Sequence, residues 1–132
     1  MSIVRRDYIE RMIEQLAQAL ATLLFGRKKP PEEVKETLAE VTQRLLGMEY
    51  RVLVSVDAQS AASLLGEPLK IEILARLIEA EAETLEDTDP DLALTRRFRA
   101  LDLLRIAEGL PGAHHPEAAR RLTDLAARLE PS

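Results

Sequence analysis

The stretch from Pro68 to Leu110 leaves this chain few choices of fold. Leu69, Ile73, Leu77 and Ile78 recur at three- and four-residue spacing toward Leu85, with Lys70, Glu72, Arg76, Glu79 and Glu83 between them. That period belongs to a helix with one buried stripe and one wet face. Thr88-Asp89-Pro90-Asp91 then interrupts the pattern. It offers a Thr or Asp N-cap, a proline in the first turn, and carboxylates where the positive end of a helix dipole favours them. A second helix therefore starts there. Along it Leu94, Phe98, Leu101 and Leu104 line one side, while Leu92, Leu103, Ile106 and Leu110 fall on another. A helix apolar on two sides is usually central, or is covered by a partner.

The N-terminal part repeats the same pattern. Ile9, Ile13, Leu16, Leu20 and Leu23 alternate steps of four and three, the seam of a left-handed helix pair. This predicts a first helix from about Asp7 to Phe25, capped by Asp7 with Glu10 at the capping-box position and closed by Gly26. Arg27, Lys28 and Lys29 follow near its negative end, where they complement the dipole. Pro30-Pro31-Glu32-Glu33 restarts a helix, on which Val34, Leu38, Val41 and Leu45 repeat the seam up to Gly47. Two matching seams joined by about five residues predict an antiparallel helical hairpin.

Residues 49–66 read as a connector. Tyr50, Val52, Leu53, Val54 and Val56 have strand propensity, but no other segment reads as a partner strand, so a short helix or irregular link is predicted there. Ser55 or Asp57 caps a further short helix over Ala58 to Leu65, closed by Gly66. Beyond Pro111-Gly112, the stripe Ala118, Leu122, Leu125, Ala126 and Leu129 predicts a last helix packed on the second hairpin. The expected organisation is one all-α domain. Residues 1–48 form the first hairpin, 49–66 the short-helix connector, and 67–132 a three-helix part.

Composition agrees and narrows function. With 46% hydrophobic and only 3% aromatic residues, the core must be built from Leu, Ala, Ile and Val. A net charge of -5 argues against a nucleic-acid partner, which would need a basic face. Residues 49–88 hold nine acidic against three basic side chains, so the acidic excess gathers around the first helix of the central hairpin. Neither a signal-peptide core nor a run long enough to span a bilayer is found, which makes the cytoplasm the expected compartment.

Catalytic signatures are missing from the sequence. There is no cysteine, the two histidines His114 and His115 are adjacent and point apart on regular backbone, and neither follows a glutamate by three residues. No phosphate loop, dinucleotide fingerprint or nucleophile elbow occurs. No enzyme activity, metal or cofactor is expected. Arg96, Arg97 and Arg99 have two readings. They pair within the chain with the acidic stretch 79–87, or Arg97, Arg105 and Arg121 line a groove for an acidic peptide.

The run Asp7-Tyr8-Ile9-Glu10-Arg11-Met12-Ile13-Glu14-Gln15-Leu16, the turn Leu45-Leu46-Gly47-Met48 and the later helix pair resemble a family of uncharacterised bacterial helical proteins. Its members look like divergent relatives of tetratricopeptide-type helix pairs in their C-terminal half. The resemblance implies that arrangement and no catalytic residue. Tyr8, Met12, Leu24 and Phe25 add apolar surface beside the first seam, so the expected function is protein association, foremost a homodimer through Tyr8, Ile9, Met12, Ile13, Leu16 and Leu20. The alternative is a tetratricopeptide-like adaptor for an acidic peptide or protein C-terminus.

Overall fold

The computed structural model describes residues 3–25 and 28–110, and all regular structure among them is helical. Six helices follow one another: α1 (Ile3–Leu24), α2 (Pro31–Leu46), α3 (Tyr50–Ser55), α4 (Ala58–Leu65), α5 (Pro68–Leu85) and α6 (Pro90–Gly109). The predicted last helix lies outside the described residues, as do Gly26 and Arg27. None of the described helices is long and apolar enough to cross a membrane.

Local chemistry sets the boundaries. Pro31, Pro68 and Pro90 occupy first turns, where a missing N–H costs nothing because no helical partner exists for it. Gly47 and Gly66 close α2 and α4 at φ 73° and 78°, a conformation that strains any residue with a Cβ. Asp57 caps α4 by accepting from the Ser60 N–H at 2.8 Å and the Ser60 hydroxyl at 2.9 Å. Those bonds, the backbone one first, hold its carboxyl below the usual range. Asp89 caps α6 through the Leu92 N–H at 3.2 Å.

One open alternative is decided and one expectation changes. The connector over residues 50–55 is helix, because Tyr50 and Leu53 turn to the same inner side and are buried there. At the other end, α1 already runs from Ile3, so Asp7 lies inside the helix and is not its N-cap. Nothing between Ile3 and Asp7 breaks a helix, and the turn continues through the arginines.

The core sits around α5. Ile71, Ile73, Leu74, Ala75, Leu77, Ile78 and Ala82 are all fully buried, which is far more than one stripe. α1, α2, α4 and α6 all contact this helix, and α6 packs along it most extensively. The seam of α1 is buried too: Ile9, Met12, Ile13, Leu16, Leu20 and Leu23 belong to one hydrophobic cluster with Leu38, Val41 and Leu45 of α2 and with α5. Tyr8 and Leu24 are half-buried against the same cluster. The surplus apolar surface read on the first helix is therefore used inside the chain.

Candidate functional site

Two regions stand out once the core is accounted for. The first is a cleft of about 790 Å³ where α2 and α3 meet α5 and α6, lined among others by Leu38, Ala39, Val54, Tyr50, Glu81 and Arg96. Glu81 occupies an apolar-stripe position of α5, four residues after Leu77 and three after Ile78. A carboxylate there is costly to bury unless it is paired and hydrogen-bonded. The Tyr50 hydroxyl donates to Glu81 Oε1 at 2.7 Å, and Arg96 Nε donates to the same oxygen at 2.6 Å. Three helices, α3, α5 and α6, thus meet at one carboxylate.

This cluster binds its elements together rather than presenting a reactive group. Burial first, and then the neighbouring Glu81 carboxylate, push the Tyr50 phenol far above its ordinary range, so it stays a neutral donor at any physiological pH. Next to it, Arg99 reaches back from α6, and its Nη1 donates to the carbonyls of Val54, at 3.4 Å, and Val56. Those carbonyls lie at the C-terminal end of α3, where a helix leaves acceptors unpaired. α6 therefore holds α3 directly through Arg99, and through Arg96 only by way of the Glu81 carboxylate that Tyr50 shares. Among the described residues no group of three His, Cys, Asp or Glu side chains is placed to hold a metal ion.

The second region is the outer face of α6. Leu94, Phe98 and Leu101, spaced by four and three residues, are 55%, 60% and 43% exposed. Scattered exposed apolar side chains, such as Val52 and Leu64, are ordinary on a protein surface. Three in phase on one helix make a patch on the order of a few hundred Å², the size that marks an interaction site. The helix is apolar on two sides, as its sequence indicates. Ala93, Ala100, Leu103 and Ala107 face inward and are buried, while Leu92, Leu104, Ile106 and Leu110 are half-buried at the margins.

The residues singled out from sequence scatter differently. Ile9, Met12, Ile13, Leu16 and Leu20 are core residues of the single chain, and Tyr8 is half-buried at its edge. They are not available to a partner without opening the core. Arg97 pairs with Glu86 at 2.9 Å, and Arg105 is exposed on the same outer side of α6. Arg121, His114 and His115 lie outside the described residues. Arg96 and Arg97 thus pair with the acidic stretch of α5 and the turn after it, while Arg99 takes carbonyls instead. Lys29 reaches the Phe25 carbonyl at 3.5 Å just past the end of α1, whereas Lys28 meets Asp87, in the turn between α5 and α6, at 3.8 Å.

The expected pairing of Arg96 with the acidic stretch 79–87 is found at Glu81, but the sequence reading missed Tyr50 as the third member and the burial of the cluster, although one signal for them was present. An ionisable residue in phase with an apolar stripe calls for a partner, and Arg96 stands fifteen residues on, across a short turn. No family model, no curated protein and no solved structure matches this chain.

Proposed function

We propose that this chain is a non-enzymatic, cytoplasmic helical domain for protein association, and that it pairs with a second copy of itself through the outer face of α6. The observation behind this reading is the in-phase exposure of Leu94, Phe98 and Leu101 on a helix whose opposite face is already packed. The tetratricopeptide-like arrangement of two helical hairpins belongs to the same proposal, supported by the helix order and by the extensive contact between α5 and α6. An adaptor that takes an acidic peptide on Arg97, Arg105 and Arg121 has less behind it, since Glu86 already neutralises Arg97.

A patch of a few hundred Å² per copy falls short of the roughly 800 Å² that each partner contributes to a standard interface. Association is therefore expected to depend on concentration. Light scattering on the full chain should show the solution mass rising from 14.8 kDa toward twice that value. Phe98→Glu should hold it at the lower mass. A wild-type chain that remains monomeric up to about 1 mM, a binding free energy near -4 kcal/mol, removes self-association from consideration.

A further inference from the structure

We infer, resting on that reading, that the second copy docks antiparallel across α6, about a two-fold axis passing beside Phe98. Closed two-fold dimers put the same patch on both sides of the interface. For one helix face there are then two arrangements, parallel and antiparallel, and the charges around the stripe tell them apart. Asp91 lies seven residues before Phe98 and Arg105 seven residues after it, both exposed and on the same side of the helix as the stripe. An antiparallel pair centred on Phe98 sets Phe98 against its symmetry mate and Leu94 beside Leu101 of the other copy. It also sets each Asp91 opposite an Arg105, twice over. A parallel pair would place Asp91 against Asp91 and Arg105 against Arg105. Like charges face to face oppose that arrangement, and opposite charges at both ends fix the register of the other.

Other occupants are weighed by the same charges. The stripe is flanked by Asp91 at one end and by Arg105, with the exposed Glu108 beside it, at the other, so a uniformly acidic or basic partner satisfies only part of it. A second copy in reverse satisfies both halves. The apolar centre supplies the contact, and the two exposed ion pairs supply direction more than affinity.

The chain contains no cysteine, so introduced ones report their own proximity without background. Asp91→Cys combined with Arg105→Cys leaves Leu94, Phe98 and Leu101 untouched. Fourteen residues of helix separate the two positions by about 21 Å, too far for a short bismaleimide to bridge within one copy. The double variant should crosslink to a dimer, whereas Asp91→Cys alone and Arg105→Cys alone should not. Crosslinking by either single variant would show parallel pairing and overturn the inference while leaving self-association standing. A dimer by mass that crosslinks in none of the three variants would place the interface elsewhere and overturn it as well. A monomeric wild type in which Phe98→Glu lowers the melting temperature would show the stripe closed within the single chain, and would overturn both readings. Charge exchange provides the second measurement. Arg105→Asp should weaken dimerisation by about tenfold through two repelling pairs, and adding Asp91→Arg should restore it. Equal affinity for all three proteins would count against the register.

Discussion

α5 and α6 are adjacent, packed along each other and similar in apolar content, yet they use it in opposite ways. α5 is enclosed by four other helices, and both its large and its small apolar residues are buried. α6 turns its alanines inward and several of its largest side chains outward. Ala93, Ala100 and Ala107 recur every seven residues on the buried face, while Leu94, Phe98 and Leu101 stand in solvent. Small side chains at a contact let helix axes approach closely. What faces inward on α6 is thus set by the space beside α5 rather than by hydrophobicity. Hydrophobicity left over after packing is the feature that points to a partner.

The contrast can be tested at its strongest point first. Leu74 of α5 is fully buried, and Leu74→Ala should cost about 2–5 kcal/mol through lost transfer energy and the cavity left behind. Urea titration at a concentration where the protein is monomeric would measure it. A cost under 1 kcal/mol would mean α5 is loosely packed and the contrast with α6 is false. Next comes the link between the two helices. Arg96→Ala leaves the Glu81 carboxylate mostly buried with Tyr50 as its remaining donor. A fully buried broken pair costs about 3–5 kcal/mol, and with Arg96 partly solvent-accessible a loss of about 2–3 kcal/mol is expected. Adding Glu81→Leu should recover part of that loss, since the unpaired charge goes with it.

Much of this organisation is legible in the residues, and the reasons for the exceptions are physical. Prolines at helix starts, glycines at the ends of α2 and α4, and the Asp57 and Asp89 caps act through local backbone chemistry, which a linear reading captures. The inward direction of α6 does not, because it depends on how closely another helix approaches. Counting leucines placed Leu94, Phe98 and Leu101 as candidates for burial and gave no weight to Ala93, Ala100 and Ala107. The same habit marked one stripe on α5 and missed Ile71, Leu74 and Ala75 on its other sides. For α1 the error ran the other way: Met12 looked surplus, but α1 also contacts α5, and that second neighbour takes it up. The candidate site was legible only in part. The outer stripe can be read from spacing, whereas Arg99 on the carbonyls of α3 joins residues more than forty positions apart.

Alkaline titration gives a third, smaller effect on the link between α3 and the central helices. The unfolded phenol titrates near pH 10, whereas the folded Tyr50 keeps its proton well above that. The folded state therefore binds more protons over that interval. The contribution is fully present below about pH 10 and is lost as pH rises, at about 1.4 kcal/mol per pH unit. Stability should lose only a few tenths of a kcal/mol between pH 9 and 10 and about 1 kcal/mol between pH 10 and 11, approaching that slope, and Tyr50→Phe should flatten the fall. An unchanged slope in the variant would mean the phenol is not enclosed as described.

The smallest expected effect carries the most weight for the comparison. Phe98→Ser removes the largest exposed apolar side chain of α6, which is 60% exposed in the single chain. Surface substitutions of that kind change monomer stability by no more than about 0.5 kcal/mol. Measured by urea titration well below the association range, the variant should match the wild type within that margin, while its solution mass at high concentration should stay at the monomer value. Leu103→Ser, on the buried face five residues on, should show the reverse, with a large loss of stability. If instead Phe98→Ser destabilises the dilute monomer by 2 kcal/mol or more, a core-like cost, then the outer face is closed by the chain itself. α6 would then be enclosed like α5, and no apolar surface would remain on it to recruit a second copy.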